Sequence, residues 1–95
     1  MRHYCYIIYS KSLNRFYIGE TSDFEQRLSF HNLGFSRFTS KAKDWELFLL
    51  IECRDEVMAS AIEKHIKSMK SSKYIRNLVK HPEIVTKLKV RFSSP

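Results

Sequence analysis

Five polar residues in this 95-residue chain have types and spacing suited to work on a phosphodiester. Tyr6 and Tyr17 lie in two aromatic, β-branched runs, "HYCYIIYS" and "RFYIG". Arg27 and His31 stand one helical turn apart in "TSDFEQRLSFHN", and Glu63 falls in "AIEKHIK". In hydrolysis of such a bond, water must lose a proton as it attacks phosphorus. The growing charge on the phosphoryl oxygens must be met, and the leaving oxygen must be neutralised. Histidine or a tyrosinate accepts the proton. Arginine matches phosphate geometry and stays charged. A carboxylate holds a divalent ion that stabilises both the phosphate and the leaving group. A free tyrosine, with a pKa of about 10, is a poor base unless neighbouring cations help it ionise.

Each residue also has a plainer use. Tyrosines in small hairpins pack with a satisfied hydroxyl. A histidine on an apolar face is commonly a hydrogen-bonded core residue, and Arg27 can snorkel to water. Glu63 precedes Lys67 by four residues, the spacing of an ordinary helix ion pair.

The elements that must position these residues follow from local pattern. Residues 3–10 and 15–19 read as strands joined by a turn of about four residues, "KSLN", which makes an antiparallel hairpin. Residues 21–34 read as a helix. Ser22 and Glu25 have capping-box spacing, and Asn32 and Gly34 are stop signals. Phe24, Leu28 and His31 share one face of it, with Arg27 on the flank. "GFSRFTSKAKDW" reads as a basic loop. Glu46–Cys53, "ELFLLIEC", is a strand whose continuous apolar run predicts burial on both faces. Asp55 caps a helix over about 56–69 with a core stripe of Met58, Ile62, Ile66 and Met69, bordered by Glu63. "SSKYIRNLVKH" is a third helix ending before Pro82. Residues 83–95 fit either a short helix or an extended basic tail. The expected fold is α+β: a three-stranded sheet with about three helices packed on it, the third strand's direction left open.

Composition narrows the partner. The formal net charge of +7 and pI near 9.6 suit a polyanion, with nucleic acid first and an anionic membrane second. No apolar run reaches the roughly 20 residues that cross a bilayer, and the N-terminus has no signal-peptide pattern. Cys5 and Cys53 lie in separate apolar runs and read as reduced core residues of a cytoplasmic protein, not as a zinc site or disulfide. Arg37, Lys41 and Lys43 in the basic loop are candidate phosphate contacts. So is the run Lys64, Lys67, Lys70, Lys73, Arg76 and Lys80.

"CYI" at 5–7, "YIG" at 17–19, "TSDFEQRLSFHN" at 21–32 and "AIEKHIK" at 61–67 together resemble the GIY-YIG nuclease superfamily. The likeness is nearest to its small single-domain members, of the kind that forms the N-terminal domain of excision-repair nucleases. Tyr17-Ile18-Gly19 is the second signature intact. Cys5-Tyr6-Ile7 stands for the first, without its glycine. The resemblance implies a small antiparallel sheet, including the third strand. It places the nuclease domain over 1–82, followed by a basic C-terminal extension over 83–95. It implies that Tyr6 and Tyr17 are paired active-site tyrosines, one of them a candidate general base. Arg27 would stabilise phosphate, His31 would assist proton transfer, and Glu63 would be the single ligand of Mg2+ or Mn2+. Gly19 would let the backbone turn closely beside the site. Asn77 stands near the position of a polar asparagine found in some members, at an imperfect offset. The expected activity is one-metal endonucleolytic cleavage of structured or damaged DNA, with DNA repair among the implied roles. Ninety-five residues leave little room for a second recognition domain. The alternatives are a non-catalytic nucleic-acid-binding module and a subunit active only with a partner protein, or as a homodimer.

Overall fold

The computed structural model describes residues 2–93, which form three strands and four helices. In chain order these are β1 (His3–Ser10), β2 (Arg15–Thr21), α1 (Phe24–Asn32), β3 (Trp45–Cys53), α2 (Glu56–Met69), α3 (Ser72–Lys80) and α4 (Pro82–Arg91). The sheet order is β2-β1-β3, and both neighbours run antiparallel to β1. The hairpin is as expected, and the third strand takes the direction implied by the resemblance.

Being central decides the burial. β1 is covered on both faces, and its alternation sends neighbouring residues to opposite cores. Cys5 and Ile7 join Ile51 and Cys53 of β3 beneath α2, α3 and α4. Tyr6 and Ile8 face the other way, against Phe24 and Leu28 of α1 and Trp45. The expectation that β3 is buried on both faces is not met. It is an edge strand, and the short α1 leaves Leu47 46% and Leu50 37% exposed. Phe48 is an extra residue in the β1–β3 ladder, since Ile7 pairs with Leu49 and Ile8 with Leu47.

The α1 cap differs from the expected Ser22–Glu25 box. Asp23 is the cap, and its carboxylate accepts from the Gln26 backbone N–H at 3.1 Å. An ionised carboxylate is the stronger acceptor at a helix start. The helix stops after Asn32, where Gly34 takes a positive φ of 81°. α2 is capped by Asp55 as read, and Met58, Ile62 and Ile66 are buried. Met69 leaves the expected stripe, 44% exposed, because the next residue, Lys70, turns left-handed and carries the chain away. Ala59 takes its place in the core. Ser71 caps α3. Beyond it the chain is helical: Pro82 opens α4, and Leu88 enters the same core as β1 and α2. Cys5 and Cys53 are buried free thiols. Among the described residues no helix is long and apolar enough to cross a membrane.

Candidate active site

The α1 side of the sheet carries a polar network inside an apolar shell. Tyr6 lies in the middle of β1 opposite Gly19 of β2. The Tyr6 ring crosses directly over that glycine: a Cβ at position 19 would stand 2.4 Å from the Tyr6 hydroxyl oxygen. Gly19 is therefore needed as a gap for the ring and not, as expected, for a turn. Its φ is not positive, unlike that of Gly34.

Through this gap the Tyr6 hydroxyl reaches His31 of α1, with 2.8 Å between Oη and Nε2. The other ring nitrogen, Nδ1, lies 2.7 Å from Oγ1 of Thr39. Both partners are buried, His31 being 1% exposed and Thr39 0%. Burial first, and the Arg27 charge second, push the imidazole down to about 4. His31 is thus neutral at pH 7, with one nitrogen free to accept. Burial first, then Tyr17, Glu63 and Glu20, hold the Tyr6 hydroxyl well above the ordinary phenol range, while Arg27 pulls it down. Tyr6 is therefore protonated and donates. A phenol is the better donor and an aliphatic hydroxyl the better acceptor. The arrangement that suits both is Tyr6 O–H donating to Nε2 and Nδ1–H donating to Thr39.

Thr39 has no signal in the sequence. It sits in the loop after α1, where no periodicity marks a buried residue. The structure shows what fixes it. The Trp45 indole donates to the Thr39 carbonyl at 2.9 Å. The Asn32 side chain in turn accepts from the Trp45 backbone N–H at 2.8 Å and donates to its carbonyl at 3.0 Å. Asp44 ties the loop's other end to the hairpin turn, accepting from Ser10 Oγ at 2.6 Å and the Ser12 N–H at 2.9 Å. These bonds, led by Ser10, hold the Asp44 carboxyl below its usual range.

Tyr17 completes the aromatic group, its ring centroid 4.8 Å from His31 and 6.4 Å from Tyr6. It is half-buried and lines an open groove. Arg27 is half-buried on α1, with its guanidinium 5.2 Å from the Phe30 ring centroid. It has no acidic partner among the described residues, so its charge is available to a ligand. Glu63 approaches from α2 and forms the ion pair that its spacing allowed: Lys67 Nζ lies 2.6 Å from its carboxylate. The same ammonium stands 6.0 Å from the Tyr17 ring centroid. Of the residues here, Glu63 is the one that could hold a divalent ion. Among the described residues no three His, Cys, Asp or Glu side chains converge. A hard ion that keeps most of its waters needs one carboxylate plus phosphate oxygens. Glu63, with a side chain only 17% exposed, fits that demand once Lys67 yields.

Of the five residues expected to act together, Tyr6, Tyr17 and His31 meet directly, Arg27 bears on Tyr6 and His31 through its charge, and Glu63 bears on Tyr6 through its charge and connects to Tyr17 through Lys67. Of the expected phosphate contacts, Lys67 thus joins them and Lys41 lines the groove beside Tyr17. Arg37 and Lys43 are exposed on the same loop. Lys70 and Lys73 stand exposed at the α2–α3 corner, with no bond to the five among the described residues. Nor does any side-chain hydrogen bond among the described residues tie Asn77 to them. No curated protein and no solved structure matches the chain. Residues 2–76, from β1 into α3, match the GIY-YIG catalytic domain. With that match over most of its length, the chain belongs to the GIY-YIG catalytic domain family, a family of endonucleases.

Proposed function

We propose that the chain is a divalent-metal-dependent DNA endonuclease, with Tyr6 and His31 as its proton-accepting pair. The observation that carries this is the 2.8 Å bond from Tyr6 to a buried, neutral imidazole. A tyrosinate in so dry a place is costly, which rules against Tyr6 ionising first. A relay avoids it. As water attacks phosphorus, one of its O–H bonds breaks and the proton moves to the Tyr6 oxygen. The Tyr6 proton passes to His31 Nε2, and Thr39 keeps the Nδ1 proton. Arg27 stabilises the charge gathering on the phosphoryl oxygens. Tyr17, open to the groove, contacts the phosphate or the water. Family members generally use divalent metals. Mg2+ or Mn2+ on Glu63 would stabilise the phosphate and leaving oxygen when bound. Lys67 then turns from Glu63 to a DNA phosphate.

The substrate we propose is structured or damaged DNA, held by Arg37, Lys41, Lys43, Lys67, Lys70 and Lys73 through backbone phosphates. Residues 1–82 would form the nuclease domain, with the following basic segment as an extension of it. The free buried thiols suit a cytoplasmic setting.

The test is incubation of the protein with branched, nicked and duplex DNA, with and without Mg2+ or Mn2+, beside Glu63→Gln. Metal-dependent cleavage lost in the variant supports the enzyme. Tight binding without cleavage by the parent protein points to a DNA-binding module or to a subunit that lacks its partner.

A further inference from the structure

Phe38 is 78% exposed, the most exposed large apolar side chain among the described residues. Its neighbour Thr39 is fully buried. The loop under Phe38 is clamped through Thr39 to His31 and Trp45, and through Asp44 to the hairpin turn. The exposure is therefore built into a fixed backbone. Phe38 forms one wall of a groove of about 520 Å3 between that loop and the hairpin. Arg15, Phe16, Tyr17, Lys41 and Trp45 line it as well, and no acidic residue does. Aromatic faces flanked only by cations are what a single-stranded nucleic acid requires: bases stack on the rings and phosphates meet the charges. Bases inside a duplex show only their edges in the grooves. An aromatic face can be covered only by a base that has left the stack.

We propose that this groove holds an unpaired nucleobase of the DNA substrate, stacked on Phe38. This rests on the nuclease reading above and narrows its substrate. Tyr17 belongs both to the groove and to the catalytic group, 4.8 Å from His31. The base in the groove is therefore beside the phosphate to be cut. The enzyme selects DNA with unpaired nucleotides next to the scissile bond, as in a bulge, flap or splayed junction.

The test uses the full chain carrying Glu63→Gln, so that DNA is bound and not cut. Two duplexes are compared, alike except that one has a short bulge containing the fluorescent base 2-aminopurine. The Glu63→Gln parent should bind the bulged duplex more tightly and quench its fluorescence. Adding Phe38→Ala should cost on the order of tenfold or more in affinity for the bulged duplex and abolish the quench. Binding of the paired duplex should not change, and Phe38→Trp should restore both signals. Phe38 is exposed, so its removal leaves the fold intact, which a thermal melt verifies. Equal losses on both duplexes, no loss on either, or no preference in the parent would each overturn the inference alone. Failure of the parent to bind either duplex would overturn the nuclease reading itself.

Discussion

The two faces of the sheet are built from alternate residues of one strand, yet they have opposite characters. Cys5 and Ile7 point into an apolar core closed by three helices. Tyr6, between them, points into a network of hydroxyls and an imidazole covered by a single nine-residue helix and a loop. The first face supplies burial, which is non-directional and tolerates exchange among similar shapes. The second depends on directed bonds, where one lost atom leaves a buried partner unsatisfied. Stability and chemistry are thereby separated by a half-turn of the pleat. Substitutions at adjacent positions should fail in different ways.

The largest effect tests this directly. Tyr6→Phe keeps the ring over Gly19 and removes the hydroxyl that reaches His31. Single-turnover cleavage should fall about 100- to 10,000-fold, the range of a lost proton acceptor. Denaturation should show only about 1 to 3 kcal/mol lost, for the orphaned Nε2. Next to it, Ile7→Ala should cost about 2 to 5 kcal/mol of stability. Its cleavage per folded molecule should stay within about twofold, since the Ile7 side chain packs in the core on the opposite face of the sheet from Tyr6. If the two variants show the same ratio of lost activity to lost stability, the division between the faces is wrong.

Solution pH bears on both faces, since burial also holds His65, packed against Tyr74 and Phe92 on the other side, below its ordinary range. In the unfolded chain His31 has its ordinary value of 6.5, whereas in the folded protein burial pushes it down to about 4. Folding therefore favours the neutral imidazole. Between those values the unfolded chain binds the extra proton, so this contribution is fully present above 6.5 and is lost as pH falls toward 4. It amounts to on the order of 3 kcal/mol. Chemical denaturation across that window should show the slope, and His31→Asn should remove His31's share of it while His65's remains. The acid limb of cleavage by the intact protein should likewise fall near 4 and not near 6.5. A limb near 6.5 would mean that the acting base is more solvated than His31.

How much of this was legible beforehand follows the same division. Periodic burial leaves a pattern in sequence, so β1, the hairpin and the Met58–Ile62–Ile66 stripe were readable. An apolar run misleads where position in the fold overrides local pattern. "ELFLLIEC" reads as an inner strand, but it lies at the sheet edge, where the short α1 leaves Leu47 and Leu50 partly exposed. The five residues proposed for the site stand out by motif spacing and not by periodicity. Their role depends on atoms meeting across long separations, such as residue 6 with 31, which no local window contains. Thr39 was invisible for that reason. Its burial is set by the Trp45 indole and the Asn32 side chain, and both act through backbone groups that carry no sequence identity.

That unsignalled residue gives the smallest and most specific effect. Thr39 adds no charge and no group that reaches substrate. If it acts, it acts by fixing which nitrogen of His31 carries the proton. With Nδ1–H donated to Thr39 Oγ1, Nε2 is left as the acceptor for the Tyr6 proton. Thr39→Val keeps the volume and loses that partner. A share of molecules then carry the proton on Nε2, where it blocks the relay. A loss of about 1.4 kcal/mol, or tenfold in kcat, is the expected scale, with KM for DNA unchanged. Thr39→Ser restores the hydroxyl without the methyl and should recover most of the rate. If Ser is as slow as Val, the methyl group is what matters, and Thr39 belongs with the packing residues. If Val raises KM and leaves kcat alone, the loop holds DNA and the tautomer of His31 is fixed by other means.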